Sequence, residues 1–531
     1  MRKQLAIVVA GVVVAGGAAA YVATRYTAAP DDEAIAYVPK DAAVYATVFI
    51  EPSRSQRSKI DSILKKVPKI DSLEEAKDEL VSLLDPELEK IGLDYESDVE
   101  PWLGGQAAFF LLAPDESGQE EPEDGAALLA TDDPDAANAA IDKALEHEGV
   151  TDRLEDATHE GVDYRIEPDE DTAFGFIGDF LVVGNETGFK AAVDASTGES
   201  LADNASFRAA IEPLADDQVA LTYLDSERLI ESFQTFGPGL PEANLQGLET
   251  FGATGQVAFG LHAEDEAVVF ESSSQVPDEG PLAEVIEGYD DDGGIIGDLP
   301  GDAWLAASFQ DSGSTLSSIL EALSEVVPEF DRTQIESMFR AETGLDLNDD
   351  VLSWMGDAGF FLQGTNLQEI GGGLVIESSD ADKTEAVVDK LESFVPTAGL
   401  QADPLERGGL TGFSVQGPGM PAPVNVLGGE RLIAAYGDRA TDAAIGTDAR
   451  LRDSEAFGAA SGGLGDGYSA VLYLEGEGLV EIIEAGMSFS GATDPTYEEE
   501  VKPYLDHLAY VVVGFKVDDD TLVQRFVVGA R

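Results

Sequence analysis

GLDYESDVEPWLG (residues 92–104) returns in altered form as GLDLNDDVLSWMG (residues 344–356), with Trp102 and Trp354 in the same slot. Other matches flank this pair in the same order in both halves. AYVPKDAAVYATV (36–48) answers DLPGDAWLAASF (298–309), and GAALLATDDPDAANAAIDKALE (125–146) answers GGLVIESSDADKTEAVVDKLE (372–392). DFLVVGNETGFKAAV (179–193) likewise answers ERLIAAYGDRATDAAI (430–445). The offset stays at roughly 250 to 260 residues, far above the 20 to 50 of a solenoid repeat, so the expectation is one domain written twice. The units then run over 34–275 and 297–531, joined by an acidic linker, 276–296.

Within each unit, short apolar runs such as AVYATVFI, AAFFLLA and FLVVG read as strands. DPDAANAAIDKALEHEG carries apolar residues at helical steps, opens on Asp-Pro and closes on Gly149. The last two strands of each unit, 255–262 with 266–272 and 508–516 with 521–528, read as hairpins turning at AEDE and VDDD. Helices do not follow every strand. The expected fold class is therefore α+β, with largely antiparallel sheets and helices packed on one face. A doubly wound parallel arrangement is the alternative. The segment APDESGQEEPEDG (113–125) is acidic and lacks apolar anchors, so it reads as an unstructured loop.

The doubled phrase reads as a structural turn. Ser97 or Asp98 is expected to cap a short helix at 99–103, and Asp346, Asp349 and Asp350 do the same in the second copy. Trp102 and Trp354 then bury a ring beneath the sheet, and Gly104 or Gly356 ends the turn. Asp94, Asp98, Trp102, Asp346, Asp350 and Trp354 are thus a repeat signature rather than a reactive set. Calcium is the sharper reading, since acids fall at alternate positions. An EF-hand loop, however, needs Gly at its sixth position and Glu at its twelfth. Here those places hold Val99 and Gly105, or Val351 and Asp357. No metal is expected.

The chain carries 104 acidic residues against 31 basic ones, a net charge of −73. Such a surface repels phosphate, which argues against nucleic acid, and it suits a salty or extracytoplasmic setting. There is no cysteine, so disulfides and thiolate chemistry are excluded. The opening MRKQLAIVVAGVVVAGGAAAYVATRY has a short basic region, 1–4, before an uncharged run, 5–23. Nineteen helical residues reach about 28 Å, enough to cross a bilayer. The expectation is an N-terminal transmembrane helix that puts the body outside the cytoplasmic membrane, or a cleaved signal that releases it.

The opening Tyr-Val-Pro-Lys-Asp-Ala-Ala-Val-Tyr-Ala (37–46), followed by Gly-Leu-Asp, Asp-Val and Pro-Trp-Leu-Gly (92–104), resembles a family of bacterial envelope proteins, domain of unknown function 3352 (DUF3352). The resemblance implies an exported, usually membrane-tethered protein with no assigned reaction, and it carries no catalytic residues over.

A search for chemistry agrees with that absence. His147, His159, His262 and His507 show no metal-ligand spacing. Gly412-Phe413-Ser414 lacks the second glycine of a nucleophile elbow, and there is no phosphate loop. Neither an enzyme nor a cofactor is expected. One feature separates the copies. RSQRSKIDSILKKVPK (54–69) gathers Arg54, Arg57, Lys59, Lys65, Lys66 and Lys69, a candidate membrane-facing patch, around the stripe Ile60, Ile63, Leu64 and Val67. Its counterpart STLSSILEALSEVVP (314–328) keeps the stripe but carries Glu321 and Glu325. The expected function is a non-enzymatic binding or scaffold module of the cell envelope, with a protein partner. The alternative is a carrier of a hydrophobic or lipid-like ligand. A dry apolar cavity would favour the carrier, and a filled core with an exposed apolar patch the scaffold.

Overall fold

The structure is a computed structural model that describes residues 31–68, 73–113, 124–230, 255–277, 283, 286, 294–326, 331–366, 369–446, 449–490, 495–518 and 520–531. Among them, everything up to Gln275 falls in a first compact unit and everything from Val276 in a second. Most of the acidic loop lies outside the described residues, and so does the proposed span 5–23.

The first unit is a ten-stranded sheet: β1 (Ala42–Phe49), β2 (Leu103–Leu112), β3 (Gly125–Thr131), β4 (Glu155–His159), β5 (Val162–Glu167), β6 (Thr172–Ile177), β7 (Phe180–Gly184), β8 (Ala220–Asp225), β9 (Gln256–Glu264) and β10 (Ala267–Gln275). Its spatial order is β10-β9-β8-β1-β2-β3-β7-β6-β5-β4, and every one of these pairs is antiparallel. The second unit has β11 (Ala303–Phe309), β12 (Met355–Gln363), β13 (Gly371–Ser378), β14 (Ala402–Arg407), β15 (Leu410–Val415), β16 (Val424–Gly428), β17 (Arg431–Tyr436), β18 (Ser469–Glu475), β19 (Leu508–Asp518) and β20 (Thr521–Ala530). They pair in the same sequence, β20-β19-β18-β11-β12-β13-β17-β16-β15-β14, again antiparallel throughout. Both anticipated hairpins, β9–β10 and β19–β20, are present.

Helices of the first unit are α1 (Arg54–Leu64), α2 (Leu73–Lys90), α3 (Pro134–Glu148), α4 (Glu186–Thr197) and α5 (Ala205–Ile211). The α3 boundaries follow from local chemistry. Asp133 caps the free amides of Asp135 and Ala136, and Gly149 closes the helix in the left-handed region, φ 66°. The second unit has α6 (Ser312–Val326), α7 (Arg332–Thr343), α8 (Ala381–Phe394), α9 (Asp438–Ile445), α10 (Glu455–Leu464) and α11 (Gly476–Ser490).

Two expectations are corrected. Helices cover both faces of the first sheet, not one. Phe189 and Val193 of α4 and Phe207 of α5 pack over Tyr45, Phe110, Leu128 and Tyr223. On the other face Leu88 of α2, Ala137 and Ala140 of α3 and Trp102 pack over Val48, Ala107, Leu129 and Leu181. Strand β1 is consequently buried along its whole length, and its unbroken run AAVYATVF, without polar alternation, is the sign of a two-sided strand. The second correction concerns the fold class that began with a transmembrane helix. Among the described residues no helix is long and apolar enough to cross a membrane. The 18-residue α2 has the length, but half of its residues are charged. The fold that stands is α+β on antiparallel sheet, with no spanning helix among the described residues.

Candidate functional site

The doubled phrase folds as a reciprocal lock in both units. Asp94 caps a short π-helical turn, Tyr95–Val99, by accepting from the Ser97 amide at 2.9 Å. Asp98 reaches back to accept from the Asp94 amide at 2.8 Å. The Trp102 indole then donates to the Asp98 carbonyl at 2.6 Å. The second copy repeats each bond. Asp346 caps Leu347–Val351, Asp350 accepts from the Asp346 amide at 2.7 Å, and Trp354 donates to the Asp350 carbonyl at 2.9 Å. The expected helix at 99–103 is therefore displaced four residues toward the N-terminus, with Asp94 as its cap. Gly104 and Gly356 lie in β2 and β12 instead of ending the turn. Trp102 and Trp354 are buried as expected, 5% and 2% exposed.

This lock is structural, and its energetics can be measured. Asp94→Ala or Asp346→Ala removes one cap and should cost about 1 kcal/mol in urea denaturation. Partial burial pushes the Asp98 carboxyl up, but the Lys143 ammonium at 2.5 Å, the Asp94 amide and Ser97 together hold it below the usual carboxylate range. A carboxylate held low adds stability that is complete above its unfolded pKa of about 4 and is lost as pH falls through the folded value. Lys143→Met should therefore flatten the acid limb of the stability profile below about pH 4 while leaving its neutral shape unchanged.

The basic residues stay together, but acids of the same unit meet several of them. Arg54, Arg57 and Lys59 lie on α1, and Lys65 and Lys66 follow its end; Lys69 lies outside the described residues. Lys65 pairs with Asp61, Lys66 pairs with Glu266 at 2.8 Å, and Arg57 Nε donates to the Pro52 carbonyl at 2.8 Å. What α1 contributes to the fold comes from an uncharged residue. The buried Gln56 side chain accepts from the Ala263 amide at 2.7 Å and donates to the Ala263 carbonyl at 3.2 Å, clipping the helix to β9.

The histidines are dispersed. His159 meets Asp194 at 2.7 Å, His507 meets the Arg531 carbonyl at 3.3 Å, and His262 is buried near Glu264 and Glu271. His147 packs over Gly92, whose φ of +76° and lack of a side chain make room for the ring. Among the described residues no group of three His, Asp or Glu side chains could hold a metal.

The feature that sequence reasoning missed is an open apolar face on the second sheet. Residues paired across antiparallel strands point to the same side. Ala434, Leu374, Phe360, Ala307, Leu472, Val513 and Phe526 are consecutive partners across β17, β13, β12, β11, β18, β19 and β20. The row spans roughly 29 Å at normal strand spacing. Phe360, Leu374 and Phe526 are exposed, and Phe309, two residues beyond Ala307 on the same side, is 54% exposed. Farther along this face Trp354, Ala358 and Ile376 are sealed beneath Val387 and Val388 of α8. Among the described residues this cover stops short of the row. The signal in the sequence was GFFL (359–362), which puts aromatics on both sides of one strand.

A chain with this architecture is an α+β protein with the same strand order in both units and an open apolar face on its second sheet. It belongs to the family described as "Protein of unknown function (DUF3352)", which matches residues 5–525. No curated protein matches it. Among solved structures it is similar to TP0453 in crystal form III, at 13% identity and a TM-score of 0.24, over 46% of this chain and 80% of that one. Crystal form I of TP0453 gives 13% identity and a TM-score of 0.23, over 46% and 79%.

Proposed function

We propose that this protein is a non-enzymatic binding module of the cell envelope that docks a partner protein on the open sheet face of its second unit. The observation that carries the reading is the exposed row Phe360, Leu374 and Phe526, with Phe309 beside it. Contiguous exposed apolar surface on a chain otherwise coated in charge marks an interaction site. The net charge of −73 sets the partner's chemistry: an apolar patch ringed by Lys and Arg. Descent of the two units from one copied domain belongs to the same proposal, supported by their shared pairing order. So does an extracytoplasmic body, supported by the acidic coat. Protease added to intact cells should degrade it.

The docking test places a photo-crosslinking amino acid at Phe309 or Phe360 in cells, with Asp135 on α3 as the control position. The expected result is one discrete protein adduct from both face positions and none from the control. The purified partner should then bind the full chain, more weakly at high salt, and Phe360→Asp should weaken it at least about tenfold. Adducts to lipid alone would transfer the reading to a hydrophobic-ligand carrier. No adduct at either position would overturn docking on this face.

A further inference from the structure

The outer strands of the first unit leave a trough, whereas the equivalent space in the second unit is filled by that unit's own side chains. Helix α3 forms one wall with Asn138 and Ile141, and β4, β5 and β6 form the other with Asp156, Asp163, Arg165 and Phe176. Its volume is about 460 Å³, within the ordinary range of small-ligand sites. Register explains the lining. Asp156 lies opposite Arg165, Thr158 opposite Asp163, and Arg165 opposite Phe174, so all face α3 together. Arg165 is held in place by Asp142 at 2.6 Å, and its guanidinium lies 4.8 Å from the centre of the Phe174 ring. Asp163 accepts from the Thr158 hydroxyl at 2.8 Å.

The fold does not require this opening. At the matching register of the second unit, Thr411, Phe413 and Val415 replace Asp163, Arg165 and Glu167, and Pro404 replaces Asp156. There Phe413, 3% exposed, fills the space in one cluster with Val387 and Val388 of α8. The same strands in the same order therefore make a closed apolar wing in one unit and an open polar trough in the other.

Charge and donor count select the occupant. An anion would meet Asp156 and Asp163 within a chain of net charge −73. A cation would meet Asp156 and Asp163 but would leave the remaining N–H groups of Arg165, whose charge Asp142 offsets, without an acceptor. A hydroxyl both donates and accepts, so it can use the acids, the Asn138 side-chain carbonyl and the guanidinium side by side, while Phe176 presents an apolar wall to ring C–H groups. We propose that this trough binds a neutral saccharide, one or two residues of a glycan chain. The site is separate from the open sheet face and does not depend on it.

The test is saturation-transfer NMR on the full chain with maltotriose, cellotriose and chitotriose, alongside spermidine and inorganic phosphate. Transfer to at least one trisaccharide is expected, and to neither ion. Asp163→Asn, which removes an acceptor, and Thr158→Trp, which blocks the trough, both alter exposed side chains and should retain the native circular dichroism. Each should weaken the saccharide at least about tenfold, while Phe360→Asp leaves it unchanged. The proposal is overturned if no trisaccharide shows transfer, if both trough variants bind as the native chain does, or if spermidine or phosphate binds in their place.

Discussion

Trp354→Ala lowers the stability of the second unit by about 3–5 kcal/mol, and Trp102→Ala does the same to the first. Each ring is almost wholly buried and each indole N–H is spent on the carbonyl of the second aspartate in its lock. Truncation opens a cavity beneath the helix that follows the next strand, where Val387 and Val388 of α8 pack near Trp354 and Ala137 and Ala140 of α3 near Trp102. It also strands a carbonyl that the π-helical turn does not use. Trp→Phe keeps most of the volume and loses the bond, so it should cost less than half as much. Urea denaturation followed by circular dichroism reads both values, and the transition of the unmutated unit should not move. A loss below about 1 kcal/mol for Trp354→Ala would mean that the lock is not a support of the fold.

Arg153→Ala destabilises the first unit by about 3 kcal/mol. Glu167 ends β5 with its side chain 0% exposed, and Arg153 Nη1 lies 2.7 Å from one of its oxygens. Neither oxygen makes a well-aligned hydrogen bond among the described residues, so the ion pair to the guanidinium is what compensates the buried charge. Removing one partner of a buried pair leaves the other charge stranded, which costs more than the pair ever contributed. The estimate sits at the low end because Arg153 is itself 47% exposed, and water can enter once it is gone. The second unit shows the alternative, since Val415 occupies the register position of Glu167. Arg153→Ala combined with Glu167→Val should therefore recover most of the loss. A double variant no more stable than Arg153→Ala alone would place the cost elsewhere.

Much of the architecture was legible because its causes are local. The α3 boundaries lie in Asp133-Pro134 and Gly149, and the β9–β10 and β19–β20 hairpins in two runs flanking acidic turns. The lock was half legible. Its residues stand out in the sequence, but Ser97 or Asp98 reads as the cap because several side chains within five residues can accept from free amides. Only the folded turn shows that Asp94 takes the helix end and Asp98 returns to the Asp94 amide. Strands β4 to β6 went unread. EDATH has no apolar run because one side of β4 faces the trough and needs none.

The basic helix illustrates the opposite limit. Its charges were plain in the sequence, yet Glu266, which answers Lys66, stands two hundred residues away. Its firmest attachment, Gln56 to the backbone of Ala263, carries no charge at all. Distant partners leave no trace in the periodicity of either segment.

Sequence alone determined the doubling of the phrase, the acidic surface, the absence of thiol chemistry and the locally capped helices, since each depends on composition or on residues within one turn. Tertiary structure decided which apolar residues are covered. Phe360 and Phe361 are neighbours of the same kind on one strand, yet Phe361 is fully buried and Phe360 is exposed. Alternation sends the two rings to opposite faces, and whether a helix returns over a face is settled by packing between segments far apart in the chain.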